Sequence, residues 1–412
     1  MLPRWVRVRQ KLYAERIENV TGAVAAEFTR AEIRSAIRPG ARVALAAGSR
    51  GIDRIDQVVR AVVAEVKRLG GAPFVVPAMG SHGGATAEGQ AELLAHYGIS
   101  ESSMGCQIVS SMETVLLGEV EGGVPVWFDR EAAQADVVIP INRVKPHTDF
   151  HAPIESGLVK MIAVGLGKQQ GAATFHRRGF AEFHRLLPAV ARFTLGKVNI
   201  PFGIALVENG FAQLAHVEAI PAARLWERET ELLRMARDWM PRLPGDRIDV
   251  LVVDAIGKDI SGIGADTNVV NRYYDGMLPF TPHIQRIVIR DLTVETEGNA
   301  SGIGLGDVAL RQAVEKLDPV KTYMNCITAK TPEGARIPLT VENDRQALHI
   351  ALACCLQVEN ADARIARIRD TKHLEEFWAS EPLLAALERA DSVEPVGEVE
   401  DIRFDTEGMF VR

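Results

Sequence analysis

Apolar residues in this chain come in two rhythms. Short continuous runs at 41–47, 73–77, 135–141 and 248–253 contain at most one charged residue each. Runs of that kind suit strands buried on both faces, as in parallel sheets. Between them, apolar positions recur at helical spacing. One such stretch covers 55–69 and closes on Gly70 and Gly71. Thr86 is placed to cap a second helix that reaches Tyr97, with Gly98 as its stop. A charged helix is expected over 222–238, a buried one over 347–356 and a last one over 381–390. Repeated strand–loop–helix units predict an α/β fold with mostly parallel sheets. In such sheets ligands gather where loops leave the carboxyl ends of strands. Arg50, His82 and His147 each come directly after a predicted strand.

The 412 residues exceed one ordinary core and suggest two domains. Pro241, Pro244 and Gly245 interrupt the pattern after the charged helix, and a new strand begins at Ile248. The expected layout is an N-terminal α/β domain over 1–245, which carries the candidate histidines and lysine. A C-terminal α/β domain would cover 246–395, and the tail 396–412 would return to the N-terminal domain. The active site is expected in the cleft between the two domains.

Composition narrows the setting. With 47% apolar and 25% charged residues, the chain is globular in type. Its net charge of -7 argues against a nucleic-acid partner, which would need a basic face. No apolar run approaches the roughly 20 residues that span a bilayer, and 1–10 lacks the apolar core of a signal peptide. Cys106, Cys326, Cys354 and Cys355 show no metal spacing, and the last two are expected as inert thiols in a buried helix. A soluble, cytoplasmic protein is expected, with self-association left open.

The chemistry concentrates between Arg50 and His176. His147 follows Pro146, which stiffens the backbone before the ring. His82 precedes Gly83 and Gly84, small neighbours that let a ligand approach. Arg50, between Ser49 and Gly51, suits bidentate binding of a carboxylate or phosphate. Lys160 stands in an apolar run, where it either snorkels to solvent or is neutralised as a covalent cofactor link. His176 follows sixteen residues later. A zinc site from His82, His147 and His176 stays open, although no standard zinc spacing surrounds them. The glycines at 165–171 miss both the P-loop and the dinucleotide pattern. Glycine-rich stretches at 261–268 and 298–304 suit either anion binding by backbone N–H groups or plain turns.

The order Arg50, His82, Pro146 with His147, Lys160, His176 resembles the nickel-pincer-nucleotide lactate racemase family over nearly the whole chain. The resemblance implies an isomerase, a racemase or epimerase of a small-molecule 2-hydroxy acid acting by reversible hydride transfer. The implied cofactor is a nickel-bearing pyridinium-3,5-bisthiocarboxylic acid mononucleotide, built by separate maturation proteins. His82 and His147 would be the acid–base pair, Lys160 the covalent tether, His176 the nickel ligand and Arg50 the clamp on the substrate carboxylate. Ser49, Asn268 and Arg272 would contact the cofactor. The sequence departs from the family pattern at Ala47 and Gly48, at Gly83 and Gly84, and by adding His151 and Glu155 in a longer segment before Lys160. Lys168 is a second candidate tether, and Arg143, Lys145 and Arg272 point to a larger or doubly anionic hydroxy acid. Two other readings need no pincer: an NAD(P)-dependent hydroxy-acid dehydrogenase using Arg50 and one histidine, and a non-catalytic anion- or nucleotide-binding homologue.

Overall fold

The first strand of the chain, β1 (Arg4–Gln10), does not join the sheet that follows it in sequence. A computed structural model describes residues 1–49, 51–274, 276–388 and 393–411, and divides the chain into two units. One comprises 1–12 with 241–412, the other 13–240. The units divide at 240/241, where 245/246 was expected. The first twelve residues go to the unit made by the C-terminal half.

In the unit 13–240, strands β2 (Arg42–Ala47), β3 (Ala72–Pro77), β6 (Val137–Arg143), β7 (Phe202–Glu208) and β8 (Leu214–Pro221) form one sheet in the order β3-β2-β6-β7-β8. All neighbours are parallel except β7 and β8. Both faces of this sheet are covered. Ala44, Ala46 and Val138 join one apolar cluster, while Val43, Leu45, Ile139 and Ile141 join the other. That double burial explains why these strands read as unbroken apolar runs. The helix Ile55–Arg68 buries five valines and is the helix predicted there. A separate hairpin of β4 (Thr114–Val120) and β5 (Val124–Asp129) packs against the first cluster.

In the other unit, β9 (Arg247–Val253), β12 (His283–Ile289), β13 (Val308–Leu310), β14 (Leu339–Val341) and β15 (Ile365–Ile368) run parallel, in the order β14-β13-β12-β9-β15. A two-residue hairpin of β10 (Arg272–Tyr273) and β11 (Gly276–Met277) stands apart. Antiparallel strands extend the sheet: β16 (Glu376–Ser380) pairs with β15 and with β1, and β1 also pairs with β17 (Val393–Pro395) and β18 (Glu400–Asp401). The tail was expected on the N-terminal domain. It instead packs within this unit, because its partner β1 itself belongs there. Phe410 and Trp378 close on Trp5, with ring centroids 5.2 and 5.0 Å away.

The helix expected over 347–356 is Asp344–Ala353. It ends before the adjacent cysteines, so Cys354 is exposed and Cys355 half-buried, contrary to the buried helical site expected for both. Among the described residues, no helix is long and apolar enough to cross a membrane.

Trp5 is 1% exposed. Trp5→Ala is therefore expected to cost about 3–5 kcal/mol. Hydrogen exchange should show the loss in β16, β17 and their neighbours, with protection of β2, β3 and β6 unchanged.

Candidate active site

The strand order of the unit 13–240 reverses direction between β2 and β6, the arrangement that opens a ligand crevice at the carboxyl ends of strands. Ser49 lies just past the end of β2, His82 past β3 and His147 past β6. The strand-end placement read from sequence holds for both histidines. Arg50 lies outside the described residues.

His82 enters a loop built from left-handed residues, with positive φ at Gly80, Gly83, Gly84 and Ala85. Gly83 is required there, because a Cβ would sit 2.6 Å from the Gly89 backbone. The His82 ring meets the Ser49 hydroxyl at Nδ1. Its backbone is held from below by Gln90, whose side-chain amide donates to Gly80 O (2.9 Å) and His82 O (3.2 Å).

His147 sits in a loop closed by the antiparallel bridge between Lys145 and Ser156. Inside the loop lies the fully buried carboxylate of Glu155. It accepts from His147 N at 2.6 Å and Ala152 N at 2.9 Å, pairs with Arg237, and has His151 Nδ1 at 3.4 Å. Burial by itself would raise the pKa of Glu155. The hydrogen bonds from His151 and from the two backbone N–H groups, with the Arg237 charge, outweigh it and hold the carboxyl below its ordinary value. The His147 ring accepts from Asp149 N at Nδ1 (3.0 Å), and Asp149 Oδ2 lies 3.3 Å from the same atom.

Lys160 is the last residue of the turn Leu158–Lys160, which passes straight into a π-helical turn at Met161–Gly165. Widened turns of this type occur often at functional sites. The start of the turn is capped from outside by Glu229, whose carboxyl accepts from Leu158 N (2.8 Å) and Val159 N (3.1 Å). A Cβ at Gly157 would overlap that carboxyl. Full burial pushes the Glu229 pKa up to about 8, against the pull of the two backbone N–H groups.

His176 lies near the end of the helix Lys168–Arg178. Its ring is edge-on to Phe180 at 5.6 Å, and the His147 ring is 5.9 Å from the same phenyl. Phe150 and Phe183 complete this aromatic wall, at 4.6 Å from His147 and 5.9 Å from His176 respectively. The structure thus brings His147 and His176 together across one aromatic ring, and pairs Ser49 with His82.

Among the described residues, no group of three or more His, Cys, Asp or Glu side chains is arranged to hold a metal ion.

The remaining candidates have other surroundings. Lys168, the second candidate tether, is fully buried with its ammonium at Pro77 O (2.6 Å), Asp129 Oδ2 (2.9 Å) and Gln90 Oε1 (3.5 Å). Three oxygens surround this amine, and burial lowers its pKa against the pull of Asp129. Arg143 is ion-paired with Glu208. In the other unit, Arg272 pairs with Asp307 at 2.6 Å and also donates to Ile284 O and Gln285 O. Two of the three cations expected to favour a doubly anionic substrate are thus matched by carboxylates. Asn268 is buried and donates to Asp266 Oδ1. Sequence reasoning missed Gln90, Asp129, Glu229 and Phe180. Only a buried-face position at helical spacing marks Gln90 and Glu229, and nothing local marks the other two.

Residues 7–185 match the family model described as the lactate racemase N-terminal domain. This stretch of the chain is similar to that family. Among solved structures it is similar to the lactate racemase apoprotein from Thermoanaerobacterium thermosaccharolyticum. The TM-score is 0.55 at 13% identity, over 88% of this chain and 94% of that one. That likeness is one of fold. No curated protein matches the sequence.

The cap on the Lys160 turn carries a pH signature. Glu229 holds its proton in the folded state up to about pH 8 and loses it near its ordinary value of 4.5 when unfolded. Between those values the folded state binds the extra proton, so stability falls as pH rises, by about 1.4 kcal/mol per unit at most. Glu229→Gln removes this titration. Urea midpoints from pH 5 to 8 should therefore decline less steeply in the variant than in the native protein.

Proposed function

We propose that the protein is a racemase or epimerase of a 2-hydroxy acid that uses a nickel-pincer nucleotide tethered to Lys160. The observation that carries this reading is the packing of His147 and His176 against the one ring of Phe180. It supports a proton-transfer imidazole beside an imidazole that ligates the metal. When bound, the nucleotide would supply a reversible acceptor for the hydride on C2 of the substrate.

The chain's own residues handle the protons and the orientation. His82 and His147 come from the ends of two different strands, which suits one base for each enantiomer. In each direction one imidazole takes the hydroxyl proton and the other returns a proton after the carbonyl intermediate has turned. The Ser49 hydroxyl engages Nδ1 of His82, which leaves its Nε2 for exchange, whereas Nδ1 of His147 accepts from Asp149 N–H, so the neutral His147 ring carries its proton on Nε2. Asp149 Oδ2 is placed to accept from Nδ1 when the His147 ring is an imidazolium. Ser49 therefore serves His82 first, whatever it offers a cofactor. Arg50 is proposed as the clamp on the substrate carboxylate. Phe150, Phe180 and Phe183 keep water from the space between the imidazoles. Maturation proteins are the expected partners, because the tethered cofactor must be made elsewhere.

Lys160→Ala, co-produced with maturation enzymes, should lack the covalent mass adduct that the native protein carries on the Lys160 peptide. An unmodified native Lys160 peptide under those conditions would sink the tether. His176→Ala should lower nickel content. His82→Ala and His147→Ala should retain nickel and lose about 10²–10⁴-fold in the rate of inversion at C2.

A further inference from the structure

We propose that Gln90 and Lys168 form a buried positioning relay that sets the His82 ring, a reading that rests on the acid–base role proposed for His82. The loop that carries His82 has little structure of its own. It holds a run of left-handed residues in a short 3-10 turn at Gly83–Ala85, and its own backbone bonds are His82 N to Met79 O (3.2 Å), Ala85 N to His82 O (3.2 Å) and Thr86 N to Gly83 O (3.3 Å). Outside it, Gly80 N reaches Gly165 O at 3.1 Å. The carbonyls of Gly80 and His82 are then gathered by a single group, the Gln90 amide nitrogen.

An amide can face either way, and only one way works here. Lys168 decides it. Its ammonium lies 3.5 Å from Gln90 Oε1, so the amide oxygen faces the cation and the nitrogen faces the loop. Lys168 is in turn fixed by Pro77 O, at the end of the strand that feeds the loop, and by Asp129. Asp129 also accepts from Ala132 N at 2.8 Å and donates its own N–H to Leu166 O at 2.6 Å, just past the π-helical turn. The side chains of Gln90, Lys168 and Asp129 are all fully buried. Lys168 adopts φ +52°, a left-handed conformation that glycine would occupy with less strain. A lysine at that position serves its buried amine. Because Lys168 also begins the helix that bears His176, one cation joins the His82 loop to the segment of the proposed nickel ligand.

The relay is tested on the apoprotein by imidazole nitrogen NMR of His82, His147 and His176. Gln90→Glu keeps the oxygen that faces Lys168 and places a second oxygen against the two loop carbonyls. It should fold, displace the His82 ring signals and leave those of His147 in place. Lys168→Met should displace the His82 signals in the same sense, because the amide loses its orienting cation. In cofactor-loaded protein, Gln90→Glu should lower kcat by about 100-fold with KM changed by less than about threefold. Unmoved His82 signals in folded Gln90→Glu protein overturn the relay, whatever the activity. Equal displacement of His82 and His147 also overturns it, as a general loosening. Displaced His82 signals with unchanged turnover leave the relay standing and overturn instead the acid–base role of His82.

Discussion

Backbone that leaves the carboxyl ends of β3 and β6 has no ladder to join, yet it runs through partly buried surroundings where its polar groups must still be satisfied. This constraint organises the unit that holds both histidines. Gln90 answers it under the His82 loop, Glu155 inside the His147 loop, and Glu229 at the start of the turn that ends in Lys160. Each is a polar side chain with almost no exposure, and each is spent on backbone. The candidate site therefore sits on loops, as accessible chemistry usually does, while its geometry is set by groups that solvent does not reach.

Charge follows the same logic. Lys168, fully buried, is matched by Asp129, and the partly buried Arg143 and Arg272 are matched by Glu208 and Asp307. Glu229, fully buried with backbone hydrogen-bond donors, responds by keeping its proton. Cap and pair are thus two solutions to one desolvation problem. The net positive field that a doubly anionic substrate would need does not come from Arg143 or Arg272.

Much of the architecture was legible because burial on both faces leaves a plain mark. The runs at 41–47, 73–77, 135–141 and 248–253 became β2, β3, β6 and β9, each within two residues of the reading at either end. Thr86 does cap its helix, accepting from Gly89 N. The hairpin of β4 and β5 and the strands β7 and β8 were not read. Their residues mix exposed and buried positions, or depend on a neighbour strand that is distant in sequence. The expected buried helix over the adjacent cysteines fails at its end, since the apolar composition continues past the last helical hydrogen bonds.

What the sequence determined alone was the alternation of strands and helices and the placement of His82 and His147 just past strand ends. Those depend on local periodicity and punctuation, which a single chain displays in full. Tertiary structure decided the rest. It sent β1 to the far half of the chain, where Trp5 finds Trp378 and Phe410. It brought His147 and His176 to one phenyl ring, turned Lys168 from a candidate tether into a buried ion pair, and set Gln90 beneath His82. Each of these is a contact between residues whose separation in sequence carries no information about their distance in space. Only packing, with its demand that every buried polar group find a partner, selects them.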